Sequence, residues 1–269
     1  FLFTPINCVL FFAQKHKNGY KLFMGCGFLV VRAKWMLFYI LVFLFSATAM
    51  FFMATAFHTV ATQAENKENV AAAAPVIILD AGHGGEDGGA VSTDGTMEKD
   101  INLDITLRLR DLFAASGCKV ILTRAQDTAI YDDGASTLKE KKISDMKNRL
   151  ELFNSLENGI VLSIHQNQFS QTQYSGTQVF YSPNTQESAD LAESIRASVT
   201  GMLQPQNTRE NKKATKDIYL LYHTQTPAVI VECGFLSNEK ELALLQSAEY
   251  RQQMAFAIYC GCVDYFQKH

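Results

Sequence analysis

The sequence predicts an α/β domain over residues 75–269, in which a mainly parallel central sheet is covered by helices on both faces. The first observation is an alternation of short apolar runs, typical of buried parallel strands, with longer segments whose apolar residues recur at helical spacing. The second is that no internal repeat or second apolar core divides this region, which predicts one domain. The third is an uncharged run over residues 35–57, which predicts an N-terminal membrane helix ahead of the domain.

The uncharged run is long enough to cross a bilayer, because a helix over 35–57 would extend about 34 Å at about 1.5 Å per residue. Arg32 and Lys34 precede it and Glu65 follows it, so the positive-inside rule places the N-terminus in the cytoplasm and the domain outside. A cleaved signal peptide is the alternative, since small residues at 54–56 offer a cleavage site. We divide this part of the chain into a cytoplasmic or mis-started segment (1–34), a transmembrane anchor or uncleaved signal (35–57) and a polar linker (58–74).

The first predicted strand of the domain is the apolar run at 76–79, which leads into five glycines between residues 82 and 89. Glycines at this density indicate a sharp backbone turn. Residues 98–110 are ambiguous, because their apolar residues alternate as in a strand while Ile101 and Ile105 also share a helical face. We interpret this segment as a helix, which makes a strand-helix-strand unit with the next apolar run.

The remaining elements follow from the same patterns. We predict strands at 119–123, 160–164, 176–181 and 227–232, helices at 143–153, 189–199 and 242–265, and a polar surface loop at 204–217. In a mainly parallel sheet the carboxyl ends of the strands meet at one edge, and α/β folds bind their ligands there.

The glycine-rich turn does not fit the nucleotide-binding loops that it superficially resembles. A dinucleotide loop needs a third glycine where Asp87 stands, after Gly82 and Gly84. The chain also lacks the G-x-x-x-x-G-K-[ST] run of a phosphate-binding loop, and Glu86 and Asp87 would repel a pyrophosphate. His83 lies within this turn, where an imidazole can hold a metal or move a proton, although a single turn histidine is also commonly structural.

Composition excludes two other classes of protein. The net charge is −3 and the pI about 6.1, which gives no basic surface for nucleic acid, so we expect no nucleic-acid partner. The six cysteines show no C-x-x-C spacing, and Cys260 and Cys262 lie two apart on a predicted helix, where their side chains point to different faces. We interpret them as packed thiols rather than as a zinc site or a disulfide.

Four ionisable residues are predicted at the carboxyl edge of the sheet. His83 follows the first strand, Glu98 opens the first helix, His165 follows the strand at 160–164 and Glu232 ends the last strand. Two histidines and a carboxylate suit Zn²⁺ with an open position, and a second carboxylate would serve as a base. Each residue has a structural alternative, since Glu98 could favour a helix N-terminus, His165 could be a core histidine and Glu232 could pair with a lysine.

Four motifs follow one another along the chain: Asp-Ala-Gly-His-Gly-Gly at 80–85, Glu-Lys-Asp at 98–100, Ser-Ile-His-Gln-Asn at 163–167 and Pro-Ala-Val-Ile-Val-Glu-Cys-Gly-Phe-Leu-Ser-Asn at 227–238. Together they resemble the motifs of the zinc-dependent N-acetylmuramoyl-L-alanine amidases of bacterial cell walls. The resemblance covers nearly all of residues 76–266. Any one motif is weak evidence, whereas four in this order are specific.

The resemblance implies that His83, Glu98 and His165 bind one zinc ion and that Glu232 is the catalytic carboxylate. It implies hydrolysis of the amide bond between N-acetylmuramic acid and the L-alanine of a stem peptide, with peptidoglycan as substrate. We further expect Asn167, within the third motif, and His223, in the predicted loop before the last strand, to contact substrate.

The sequence departs from the family pattern in three places. Ala81 replaces a proline, and Gln166 and Gln168 replace small residues beside Asn167, which is expected to reshape the substrate groove. No long insertion follows Asn167, so the site is expected to be open.

The anchor, the short single-domain layout and the helix start at Glu98 most resemble sporulation amidases that prepare spore-cortex peptidoglycan for germination through muramic-δ-lactam. This implies a membrane-anchored enzyme whose domain lies outside the cytoplasm, in the cell wall or the forespore intermembrane space; the activating protein, if one exists, is not identified. A zinc peptidase, a wall-binding module without activity and a regulatory pseudoenzyme remain as alternatives.

Overall fold

The computed structural model describes residues 13–16, 19–22, 36–53, 75–156 and 158–269. The chain divides into two compact units, Phe1–Ala71 and Ala72–His269. In the first unit, strands β1 (Ala13–His16) and β2 (Gly19–Leu22) form an antiparallel pair. Helix α1 (Met36–Met53) has a mean hydropathy of 2.3 and is long and apolar enough to cross a membrane. The predicted linker at 58–74 lies outside the described residues.

The second unit contains a six-stranded sheet. Its strands are β3 (Val76–Ala81), β4 (Lys119–Leu122), β5 (Gly159–Asn167), β6 (Gln178–Tyr181), β7 (Lys212–Lys213) and β8 (Ala228–Phe235), in the spatial order β4-β3-β5-β8-β6-β7. All neighbouring pairs are parallel except β6 and β8, which are antiparallel. The mainly parallel sheet predicted from the apolar runs is therefore confirmed.

Six helices accompany the sheet: α2 (Glu98–Ala115), α3 (Leu138–Phe153), α4 (Gln186–Met202), α5 (Tyr219–His223), α6 (Glu239–Gln246) and α7 (Ala248–Lys268). The start of α3 is fixed by a capping box, in which Thr137 accepts from the backbone N–H of Glu140 and the Glu140 side chain accepts from that of Thr137. Asn238 caps α6 in the same manner as Ser247 caps α7, each accepting backbone N–H groups of the first turn.

The sheet is buried on both faces, and its strands contribute alternate residues to two cores. Ile77 and Leu79 pack in the larger core with α2, α4, α6 and α7, whereas Ile78 packs in the smaller core with α3 and α5. All three side chains are fully buried. Because both faces of the sheet are covered, the sequence of these strands is a continuous apolar run and not an alternation of apolar and polar residues. Such runs could be identified from the sequence.

Five local predictions differ from the structure. Strands β5 and β8 continue to Asn167 and Phe235, so His165 and Glu232 lie within their strands rather than after or at the end of them. The predicted surface loop at 204–217 contains β7, a two-residue edge strand. The predicted helix at 242–265 is two helices, because Ser247 ends α6 and its side chain caps α7. His223 belongs to the short helix α5 and not to a loop. The ambiguous segment at 98–110 is helical throughout, as predicted.

Candidate metal centre

The backbone of the glycine-rich turn brings His83 towards the sheet. His83 has φ of 63°, in the left-handed region that side chains other than glycine rarely adopt. Its neighbours leave no room for substitution: a Cβ at Gly82 would lie 2.2 Å from Nε2 of His165, and one at Gly89 would lie 2.6 Å from Oε2 of Glu98. The absence of these two methyl groups is what allows the two histidines and the glutamate to approach each other.

Three side chains converge at the carboxyl edge of the sheet. Nε2 of His83 lies 3.2 Å from Oε2 of Glu98, and Nδ1 of His165 lies 2.9 Å from Oε1 of the same carboxylate. The two imidazole rings are 5.0 Å apart between centroids and meet edge to face. One donor atom from each of the three residues lies within 4.8 Å of the others, so the set can hold a single metal ion.

Glu98 is held in a fixed orientation by backbone and side-chain donors. Its Oε2 accepts from the backbone N–H of Ala90 at 2.8 Å, and its Oε1 accepts from that of Gln166 at 3.0 Å and from Nδ2 of Asn102 at 3.2 Å. Burial works against ionisation of Glu98, but hydrogen bonds from His165 and His83 outweigh it and lower the carboxyl pKa well below its ordinary value. The residue is therefore a buried carboxylate that stays negative.

His83 has a second carboxylate partner on its other ring nitrogen. Oδ2 of Asp87 lies 3.0 Å from Nδ1 of His83, and Oδ1 of Asp87 accepts from the backbone N–H of Gly89 at 3.2 Å. Burial opposes protonation of His83, but the hydrogen bonds to Asp87 and Glu98 raise its pKa to about 9. A carboxylate on the far nitrogen of a histidine is the usual arrangement behind a metal-binding imidazole, because it fixes the tautomer and leaves Nε2 for the metal.

Glu232 lies on β8 directly beside His165, with which it is paired in the parallel register of β5 and β8. Its Oε2 is buried and has no hydrogen-bond partner among the residues that the structure describes. Burial raises the pKa of Glu232 to about 7, with His165 acting against the rise and the carboxylate of Glu98 adding to it. A carboxyl that has one buried, unpartnered oxygen and a raised pKa is suited to accept and return a proton.

Two arginines hold the backbone of the turn beneath the site. Arg149, on α3, pairs with the fully buried Asp80 through Nη1 and donates from Nη2 to the carbonyl of His83 at 2.8 Å. Arg124 donates to the carbonyls of Ala81 and Gly82 at 2.9 and 3.0 Å. The position of His83 therefore depends on a buried ion pair between β3 and α3.

The structure brings together four of the six residues predicted to form the site. Asn167 ends β5, where a register shift follows His165, and its carbonyl accepts from the backbone N–H of Leu236 at 2.8 Å. His223 is exposed and contacts the rings of Tyr219 and Tyr222. The roles of Asn167 and His223 in binding substrate stay predictions.

The two glutamines beside Asn167 occupy different environments. Gln166 is 3% exposed and donates to Oδ1 of Asn102 on α2 at 3.1 Å, so it packs behind Glu98 rather than in a groove. Gln168 is exposed and donates to the carbonyl of Val91 at 2.9 Å. Of the two, only Gln168 is placed to alter an open surface beside the site.

Sequence reasoning missed the residues that support His83, Glu98 and His165. Asp87 was read only as a charge that would repel phosphate, although its position four residues after His83 in a tight turn was the available signal. The pairing of Asp80 with Arg149 was missed as well. Their contact joins β3 to α3, and no local pattern in the sequence shows such a pairing.

The donor set fits zinc on chemical grounds. Zn²⁺ prefers imidazole nitrogen and carboxylate oxygen, and hydrolytic sites combine three protein ligands with one open position. His83, Glu98 and His165 supply that set, and Asp87 supplies the outer carboxylate. A cavity of about 440 Å³, whose lining includes His83 and His165, gives substrate access to the same edge.

Residues 77–263 match the family model described as N-acetylmuramoyl-L-alanine amidase. The germination-specific N-acetylmuramoyl-L-alanine amidase of Bacillus subtilis is 36% identical over 191 residues, which cover 71% of this chain and 79% of that protein. Among solved structures, the CwlD amidase of Clostridioides difficile, in complex with the GerS lipoprotein, is 44% identical with a TM-score of 0.70, covering 72% of this chain and all of that one. The AmiC2 amidase of Nostoc punctiforme is 28% identical with a TM-score of 0.61, covering 72% and 97%.

Proposed function

This chain belongs to the N-acetylmuramoyl-L-alanine amidase family, and from that premise we propose that it is a zinc hydrolase of spore-cortex peptidoglycan. It is an amide hydrolase that separates N-acetylmuramic acid from the L-alanine of the stem peptide. The family and the germination-specific relative support the reaction and its place in germination. The metal and the individual roles of the residues rest on the geometry of the site.

The observation that carries the proposal is the arrangement of two imidazoles and two carboxylates with different environments at one sheet edge. Glu98 is hydrogen-bonded to both histidines and stays ionised, as a metal ligand must, whereas Glu232 has an oxygen without any partner. When bound, a zinc ion supplies a Lewis acid for the amide carbonyl and lowers the pKa of a coordinated water towards about 7. His83, Glu98 and His165 would hold it.

Glu232 is the residue that moves the proton. Because it is paired with His165 in the register of β5 and β8, it can accept a proton from the attacking water and return it to the leaving nitrogen as the carbon–nitrogen bond breaks. The products are the lactyl carboxylate of muramic acid and a stem peptide with a free L-alanine amine. Asp87 keeps His83 in the tautomer whose Nε2 faces Glu98.

The biological setting follows from the relatives and from α1. A muramic acid freed of its stem peptide is the precursor that muramic-δ-lactam formation requires, so we place the reaction in cortex maturation. Helix α1 would anchor the chain, with the catalytic unit outside the cytoplasm, where peptidoglycan lies. Because the Clostridioides relative was solved with a lipoprotein, a lipoprotein is the first class of protein partner to test.

The proposal is tested by digesting purified cortex peptidoglycan with the full chain in detergent and zinc, followed by mass spectrometry. We expect release of intact stem peptides that begin with a free L-alanine amine. Fragments cut within the stem would instead indicate a zinc peptidase. Binding without release would indicate a non-catalytic wall protein, and Glu232→Gln provides the inactive control.

A further inference from the structure

A row of side chains on β5 ends in a polar residue that faces helix α2. Ile160, Leu162 and Ile164 alternate along the strand and pack in the larger core, which α2 covers. Gln166 continues this row, is 3% exposed, and donates from Nε2 to Oδ1 of Asn102 on α2 at 3.1 Å. The apolar contact between sheet and helix therefore ends, beside the metal site, in a hydrogen bond between two buried amides.

Asn102 connects this hydrogen bond to Glu98. It is fully buried and lies four residues after Glu98, on the same face of α2. Its Nδ2 donates to Oε1 of Glu98 and to the carbonyl of Gly82, both at 3.2 Å. Because Oδ1 and Nδ2 are the two ends of one planar amide, a donor at Oδ1 directs Nδ2 towards Glu98. Gln166 thus fixes which end of the Asn102 amide faces the carboxylate.

The Gln166 side chain also carries a polar atom that its surroundings do not satisfy. Its Oε1 is buried and has no hydrogen-bond partner among the residues that the structure describes. A buried acceptor without a donor lowers the stability of a fold, so a glutamine kept in such a place indicates a function that offsets the loss. The hydrogen bond from its Nε2 to Asn102 is the contact that can supply this function.

Glu98 depends on such donors once its histidine partners bind a metal. In the structure His83 and His165 lie within hydrogen-bond distance of its two oxygens. A ring nitrogen that binds a metal cannot also donate to Glu98, so the orientation of the carboxylate then depends on donors that do not bind metal. Removing an outer partner of a metal ligand typically weakens metal binding by about 10- to 100-fold.

We propose that Gln166 is a positioning residue of the metal site, which acts through Asn102 to hold Glu98 in the orientation that binds the ion. The inference rests on the proposed zinc hydrolase function. It concerns a position at which the chain departs from the small residues of the family pattern. It assigns this glutamine to metal affinity and not to the substrate groove.

The test measures zinc affinity by titrating the metal-free full chain, in detergent, against a competing chelator of known affinity. Gln166→Met keeps the length of the side chain and removes its donor, whereas Gln166→Ala removes the side chain beyond Cβ. Asn102→Leu removes the connecting amide, and a double variant combines Gln166→Met with Asn102→Leu. Gln168→Met is the matched control, because Gln168 is exposed and donates to the carbonyl of Val91.

We expect Gln166→Met and Gln166→Ala each to weaken zinc binding by about tenfold, and Asn102→Leu by about 10- to 100-fold. The double variant should bind zinc no more weakly than Asn102→Leu, because the two residues act in series. Gln168→Met should bind zinc as wild type does. The absorption spectrum of Co²⁺ bound in place of zinc, which reports ligand geometry, should shift in the Gln166 and Asn102 variants and not in Gln168→Met.

Unchanged zinc affinity in Gln166→Met and Gln166→Ala overturns the inference. So does a double variant whose loss of binding free energy is the sum of the two single losses, because the two residues would then act independently. Cooperative unfolding of each metal-free variant establishes that it is folded. If neither Gln166 variant folds, the residue supports the fold and not the site, and the inference is wrong.

The same data separate the inference from the function beneath it. If wild type binds one zinc ion and releases stem peptides while the Gln166 variants match its affinity, the proposed function stands and the role of Gln166 is wrong. If wild type binds no zinc, the proposed function fails, and the inference fails with it.

Discussion

Replacing Glu232 by glutamine should remove the chemistry while leaving the metal site intact. The side chain keeps its size, but it can no longer accept the proton of the attacking water, a function worth about 10² to 10⁴ in rate. Glu232 makes none of the contacts that join His83, Glu98 and His165, so one zinc per chain should remain bound. The rate of amide cleavage should therefore fall by at least about 10² to 10⁴.

The same substitution has a predictable effect on stability in the metal-free protein. The pKa of Glu232 rises from an ordinary value of 4.5 to about 7 on folding. A raised pKa means that the folded chain prefers the protonated carboxyl. The contribution of Glu232 to the free energy of unfolding is therefore fully present below pH 4.5 and is lost as the pH rises through 7. One pKa unit corresponds to about 1.4 kcal/mol, so the loss approaches about 3 kcal/mol. Glutamine does not ionise, and Glu232→Gln should not show this loss.

The assay is chemical denaturation of wild type and Glu232→Gln in chelator at pH 4.5 and at pH 7.5. The difference between the two free energies of unfolding should favour the variant at the higher pH by up to about 3 kcal/mol. Glu239→Gln, an exposed glutamate at the start of α6, is the matched control and should show no such change. If the free energies of unfolding of wild type and Glu232→Gln differ by the same amount at both pH values, the argument from the pKa is refuted. Loss of zinc from Glu232→Gln would instead show that Glu232 is a metal ligand.

Three further predictions address the metal, the scaffold and the membrane. His165→Ala should lose zinc, because two protein ligands make a poor site; retention of one zinc per chain by direct metal analysis would exclude His165 from the ligand set. Asp80→Asn should lower the free energy of unfolding by up to about 3 kcal/mol at neutral pH, because the buried Arg149 loses one of its two carboxylate partners and keeps only Asp145, and denaturation should show this. Burial raises the pKa of Asp80, but the charge of Arg149 opposes burial and the net shift is below the ordinary value of 3.8. Ionised Asp80 therefore stabilises the wild-type fold above pH 3.8, and this stabilisation is lost as the pH falls through the lower pKa of the folded state. Protease added outside spheroplasts or forespore membranes should cut the linker at 58–74 and release the catalytic unit; a protected domain would refute the topology.

The strands were predictable where helices cover both faces of the sheet. The run 76–79 is apolar at every position, and the run 160–164 is apolar except at Ser163, because helices cover both faces of the sheet. Such runs are visible in the sequence without knowledge of their partners. Strand β7 was not predictable, because two exposed lysines form an edge strand only through their pairing with β6. The break at Ser247 was missed because apolar spacing continues across it, whereas the cap is a single hydrogen bond.

The candidate site was predictable to the extent that it depends on the order of strands and helices along the chain. His83, Glu98, His165 and Glu232 were identified from their places in the order of elements, and the structure brings them to one edge. Asp87 and the pair of Asp80 with Arg149 were not identified as supports, since their partners come from a turn conformation and from a helix that is distant along the chain. Their function is a property of the folded geometry alone.

The site is held by two mechanisms of different strength. His165 and Glu232 are neighbours in the hydrogen-bonded register of β5 and β8, so the ligand and the proposed base keep their spacing as long as the sheet exists. His83 instead lies on a strained turn, at a φ of 63°, whose carbonyl is held by Arg149. Loss of the pair between Arg149 and Asp80 should therefore release His83 first, lowering metal affinity while the spacing of His165 and Glu232 persists.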